Sequence, residues 1–70
     1  MFSVEWQRQG VTVERETSAM VNLAEAVDAA RWRADRVVAR HPLDAPDTFR
    51  LIDPPSGAVL MTFKFFCGQR

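Results

Sequence analysis

Two side chains, His41 and Cys67, could in principle form a base and a nucleophile, because they are the only histidine and cysteine of the chain. Nucleophilic catalysis also needs a group that orients the base. His41 is expected at a helix end, where it suits the dipole, and Cys67 late in a strand, as a small apolar residue. A zinc site needs more such ligands. We therefore predict no catalytic residues and a protein that is not an enzyme.

Acidic residues in the predicted loops are the other candidates for chemistry. Asp44, Asp47 and Asp53 could hold Mg²⁺ or Ca²⁺, but the turn-forming role of aspartate explains each more simply. The segment "DPPSG", residues 53–57, has one glycine and joins two strands, whereas a phosphate cradle needs several amides at a helix N-terminus. We predict no metal, no cofactor and no small-molecule ligand.

Composition limits the classes of partner. Nine basic and nine acidic residues give a net charge of zero, so no overall field attracts nucleic acid or an anionic membrane. The start, "MFSVEWQRQG", lacks the basic and apolar regions of a signal peptide. The longest apolar run, "AVLMTFKFFC", is far shorter than the about 20 residues of a membrane span. With a lone thiol, these features predict a cytoplasmic protein.

The first part of the chain predicts a β-hairpin. Every second residue of segment 2–7 is large and apolar, and segment 11–14 repeats the alternation, which is typical of strands with one apolar face. Between them, "RQG" predicts a tight turn in which Gly10 takes positive φ. In the second strand, Val13 is expected on the apolar face and Glu14 on the polar face.

An amphipathic helix is predicted next. Asn22 is the expected N-cap, with Glu25 three residues later as in a capping box. Pro42 disfavours helical conformation in the residue before it, so the helix should end near Arg40 or His41. Spacings of three and four residues place one apolar stripe against a sheet: Leu23, Ala26, Val27, Ala30, Ala34, Val37 and Val38.

Two further strands follow, "TFRLI" at 48–52 and "AVLMTFKFF" at 58–66. The last has apolar residues on both faces, which is typical of an interior strand. We predict one α+β domain, residues 1–70, of order ββαββ, with one amphipathic helix on a four-stranded, mainly antiparallel sheet. A strand order of 1-2-4-3 is preferred, and 2-1-3-4 is the alternative. The predicted faces of the last strand are Val59, Met61, Phe63 and Phe65 on one side, with Leu60 and Phe66 on the other.

The helix and final hairpin together resemble small bacterial proteins of uncharacterised function. The matching features are an "EA…AA" pattern in the helix, here Glu25 to Ala30, and a strand ending in Asp53 before a turn that contains Gly57. The resemblance covers about two-thirds of the chain. It implies the fold and supplies no catalytic residue.

Trp32 points away from the apolar stripe, among charged residues. Arg36, four residues on, could stack on the indole. Alternatively, the loop 42–47 or the tail "GQR" covers the ring. In the third interpretation, Trp32 contacts another chain, because tryptophan and arginine are enriched at interface hot spots.

A second surface is the sheet face away from the helix, where Ile52, Leu60 and Phe66 adjoin if the last two strands pair. We predict a non-enzymatic interaction module, a homodimer or an accessory subunit. The alternative is a nucleic-acid-binding accessory protein that uses the outer helix face, although acidic residues interleave with its arginines. The candidate contact residues of the two surfaces are Trp32, Arg33, Arg36, Ile52, Leu60 and Phe66.

Overall fold

A computed structural model describes residues 1–65 as one antiparallel sheet with a helix on one face. Phe66 and Cys67 lie outside the described residues. The strands and the helix follow the predicted ββαββ order, which confirms the α+β fold. Their bounds are β1 at Phe2–Arg8, β2 at Val11–Ser18, α1 at Leu23–Arg40, β3 at Thr48–Asp53 and β4 at Ala58–Lys64.

The strand order is β2-β1-β3-β4, so the preferred order was wrong and the alternative is confirmed. All neighbouring strands are antiparallel. Strands β2 and β3 are therefore parallel to each other, with β1 between them. The predicted interior position of β4 is also wrong. The strand pairing places β1 and β3 at the centre of the sheet, where α1 packs across them, and leaves β4 at an edge, where only Phe63 is partly buried.

The core lies between α1 and the two central strands. Trp6 is fully buried, with its ring centre 5.2 Å from that of Phe49, and Phe49 stacks on Phe63 at 5.3 Å. Alanines on α1 let the helix approach the sheet closely. The buried apolar residues are Val4, Trp6, Ala26, Val27, Ala30, Val37, Phe49 and Leu51.

Capping and turn chemistry set the element boundaries as predicted. The Asn22 side chain accepts hydrogen bonds from the backbone N–H groups of Ala24, at 2.8 Å, and Glu25, at 3.4 Å. The helix ends with His41 as its C-cap. In the first hairpin turn Gln9 and Gly10 have φ of 51° and 84°, the left-handed conformation that a two-residue turn requires.

A register shift in the first hairpin changes the face of Glu14. Trp6 lies opposite Glu14, whereas Gln7 lies opposite Thr12, so Val13 is an extra residue in β2. Directly opposed residues share a face. Glu14 therefore lies on the helix side of the sheet, which corrects its predicted place on the polar face.

A second register shift, between β3 and β4, changes which side chains of β4 share a face. Leu51 lies opposite Met61, whereas Ile52 lies opposite Val59, so Leu60 is the extra residue. Met61 and Phe63 keep the predicted helix-side position. Val59 instead shares the open face with Ile52, which corrects its predicted grouping with Met61.

Candidate interaction surface

The Trp32 side chain is 85% exposed on the outer side of α1. Within residues 1–65 it makes no ring or cation–π contact, so the predicted stacking with Arg36 is wrong. An exposed pair of this kind gains only ~0.5–1 kcal/mol, which the ordering of two side chains offsets. The loop 42–47 leaves the ring uncovered, and Leu43 in that loop is itself 94% exposed. The "GQR" tail lies outside the described residues.

Three of the four arginines on α1 are held by the protein itself. Arg33 forms an ion pair with Glu16, and Arg40 binds Glu14, so both are tied to β2. Arg31 lies over the Phe63 ring, 5.1 Å from its centre. Among the described residues, Arg36 alone of the four makes no such contact. The candidate contact residue Arg33 therefore joins α1 to β2 within the fold.

The glutamates on the helix side of β2 form the polar connection between helix and sheet. The indole N–H of Trp6 donates to Glu16 Oε2 at 2.6 Å. Arg40 Nε donates to Glu14 Oε1 at 3.2 Å, and His41 Nε2 lies 2.9 Å from the same oxygen. The hydrogen bond from Arg40 lowers the pKa of Glu14 against an opposing effect of burial, and the same bond raises the pKa of Arg40. Sequence reasoning missed these contacts because the register shift moved Glu14 across the sheet.

On the opposite side of α1, an apolar groove separates the helix from β4. Met61 forms its sheet side, and the first turns of α1 form the helix side. The groove has a volume of about 360 Å³ and opens to solvent. Asp28 borders both this groove and the surface around Trp32, which Arg31 and Asp35 complete. The groove residues are Leu23, Ala24, Val27, Asp28 and Met61.

The edge strand β4 is the most apolar exposed segment near this groove. Val59, Leu60 and Met61 are 46%, 43% and 38% exposed. Natural edge strands carry charges that oppose pairing with another chain. The other edge, β2, has three consecutive charged residues in "ERE", whereas β4 has only Lys64, at its end. The two edges therefore differ in their capacity to pair.

The open sheet face is mainly polar, as predicted. Glu5 is 7% exposed and lies between two arginines of neighbouring strands, Arg15 Nε at 3.1 Å and Arg50 at 2.6 Å. Strands β3 and β4 do pair, which brings Ile52 beside Val59 next to the exposed Leu60. Phe66, the third member of the predicted patch, lies outside the described residues.

The aspartates considered for metal binding have roles in turns. Asp53 accepts a hydrogen bond from the Ser56 hydroxyl at 2.8 Å, and Asp47 accepts one from Thr48 at 2.9 Å. Asp44 lies 3.5 Å from His41 Nδ1. Residues 1–65 contain no cluster of three or more potential metal ligands. The pairing of His41 with Cys67 lies outside the described residues.

The helix α1 lacks the length of apolar sequence that would cross a lipid bilayer. Comparison of the chain with protein-family models, curated proteins and solved structures finds no match. The resemblance to small bacterial proteins therefore stays a prediction. A function has to be inferred from the exposed surfaces of α1 and β4.

Proposed function

We propose that this protein is a non-catalytic interaction module that acts as a homodimer, with the edge strand β4 and the adjoining groove as its self-association surface. The supporting observation is an edge strand of seven residues that is apolar, exposed and charged only at Lys64. A strand with this composition is typical of a sheet interior. Pairing with a second copy gives β4 a hydrogen-bonded strand on each side.

Chain size supports self-association. A domain of this length buries only about 60% of the surface that its unfolded chain exposes, so its stability is marginal without a supplement. The Arg31 side chain over Phe63 covers only one part of β4. Burial of Val59, Leu60 and Met61 against a second copy would add to the apolar area that the single core buries.

Trp32 gives the module a second contact surface, separate from the β4 edge. Edge-to-edge pairing of antiparallel strands continues one sheet, so both helices lie on the same side of it. The homodimer then presents two exposed Trp32 side chains on one surface, with Asp28, Arg31 and Asp35 around each. An aromatic anchor with charged neighbours has the composition of an interface hot spot.

Nucleic-acid binding has less support as an alternative. Arg33 is paired with Glu16, and Asp28 and Asp35 flank Trp32, so the ring lacks the basic surroundings of a stacking platform. Binding of a single-stranded oligonucleotide at low salt, weakened by Arg36→Ala and by added salt, would favour this alternative.

The direct test of the homodimer is the molar mass by light scattering after size exclusion, over a wide range of protein concentration. We expect twice the 8.0 kDa of one chain. Met61→Ser should weaken the dimer at least tenfold, because an apolar contact of about 1.5–3 kcal/mol is lost. Val11→Ser is the matched control, since Val11 is 65% exposed at the other edge, and should leave the mass unchanged. A wild-type chain that stays monomeric at all concentrations contradicts the proposal.

A further inference from the structure

We infer that β4 pairs antiparallel with β4 of a second copy, with Thr62 of each chain opposite Thr62 of the other on the two-fold axis. This register rests on the proposed homodimer and specifies its contact. It follows from the direction of the backbone groups, the faces of the side chains and the distribution of charge along β4 and α1.

The backbone of β4 indicates which groups face outward. The Phe65 N–H donates to the Asp47 carbonyl at 2.9 Å, so at this position the backbone faces β3. Alternate residues of a strand face the same side, which places the backbone groups of Phe63 and Met61 toward β3. Those of Thr62 and Lys64 then face the open edge. A two-fold axis at Thr62 lets its N–H and carbonyl bond reciprocally with those of the second Thr62.

Side-chain faces select the same register. Met61 and Phe63 lie opposite Leu51 and Phe49, so both occupy the helix side. With Thr62 on the axis, Met61 of one copy lies opposite Phe63 of the other. Two such apolar pairs extend the core across the interface. A shift of the axis to Met61 would instead oppose Phe63 with Val59, which the β4 bulge has moved to the open face.

Charge is complementary in this arrangement. Arg31 lies over Phe63, and Asp28 lies in the groove beside Met61. Because Phe63 faces Met61 of the second copy, each Arg31 faces the Asp28 of the other chain across the shared groove. The like charges of Lys64 stay apart, since the two Lys64 residues lie on opposite sides of the two-fold axis at Thr62. A second copy of the chain therefore matches this surface in charge.

Disulfide trapping tests the register on the full chain with Cys67→Ser. Hydrogen-bonded antiparallel pairs have Cα atoms about 5.5 Å apart, within disulfide range. We expect Thr62→Cys to form a dimer rapidly under mild oxidation, and Lys64→Cys to form one only slowly, because the two copies of residue 64 lie on opposite sides of the axis. Thr12→Cys, on β2, is the control for random collision. Crosslinking of Thr62→Cys no faster than this control overturns the register.

A second variant tests the same edge without a new thiol. Thr62→Pro removes an N–H that faces away from β3, a position where an edge strand tolerates proline. We expect a folded monomer by circular dichroism and light scattering, with Thr62→Val remaining dimeric. If Thr62→Pro stays dimeric, the register is wrong while the homodimer stands. A monomeric wild-type chain would instead remove both proposals.

Discussion

The guanidinium carbon of Arg31 lies 5.1 Å from the centre of the Phe63 ring. This contact joins the helix to the edge strand at the point where β4 is expected to meet its copy. It also fixes a positive charge beside the groove, which Asp28 borders with a negative one. In the proposed dimer, these two charges face the same two charges of the second copy.

Charge reversal across the groove should weaken and then restore the dimer. In Arg31→Asp, the new carboxylate lies opposite Asp28 of the second copy, so two negative charges meet. In Asp28→Arg, the new guanidinium lies opposite Arg31 of the second copy, so two positive charges meet. We expect each to weaken the dimer roughly tenfold, since a repulsive pair costs on the order of 1 kcal/mol or more. The combined variant should recover most of the affinity in sedimentation equilibrium. Additive losses in the combined variant would contradict the pairing.

Removal of the Trp6 indole N–H should destabilise the fold. Trp6→Phe leaves the largely buried Glu16 without one of its two partners, Arg33 being the other. We expect a loss of at least about 1–3 kcal/mol in the free energy of unfolding, measured in urea, because a buried acceptor loses its donor and the smaller ring leaves a void in the core. Trp32→Phe is the matched control and should stay within about 0.5 kcal/mol of wild type, since that ring is exposed.

The free energy of unfolding should fall in acid because Glu14 becomes protonated. The Arg40 hydrogen bond lowers the pKa of Glu14 in the folded state below its ordinary value of 4.5. A carboxyl with a lowered pKa contributes stability that is complete above the unfolded pKa and is lost as pH falls through the folded pKa. Chemical unfolding measured from pH 7 downward should show a shallower decline for Glu14→Gln than for wild type. If the free energy of unfolding of both proteins declines equally with pH, the ion pair contributes nothing to the acid sensitivity. Asp35→Asn, which removes a different carboxylate, is the control.

The two tryptophans should be distinguishable by fluorescence quenching. Trp6 is fully buried and Trp32 is 85% exposed. We expect acrylamide to quench a large fraction of wild-type emission, and Trp32→Phe to remove most of that accessible fraction. Trp32→Ala should also leave the molar mass unchanged, because the ring lies on the outer side of α1. An inaccessible Trp32 would indicate that another part of the chain or a partner covers it.

Local signals predicted the elements well. Alternation around Trp6, the Asn22 cap and the turn at Gly10 each depend on neighbouring residues, so they could be identified without tertiary information. The β-bulges could not, because one extra residue in a strand leaves no local mark. For that reason the alternation predicts the wrong face for Glu14 and gives no sign of the ion pairs of Arg33 and Arg40.

The position of β4 illustrates a different limit. Apolar residues on both faces of a strand indicate burial on both faces, but they do not identify the chain that provides the cover. Within residues 1–65, β4 has a neighbour on one side only, β3. We propose that a second copy supplies the neighbouring strand on the other side of β4, which is the basis for the homodimer.

The most direct test of edge pairing is hydrogen exchange of the β4 amides by NMR, on the unaltered chain at high and low concentration. The account predicts that the Thr62 N–H, which faces the open edge, is protected at high concentration and loses protection on dilution. The Phe63 N–H, which faces β3, should stay protected at both. Rapid exchange of Thr62 at every concentration, with Phe63 protected, would contradict self-association through β4.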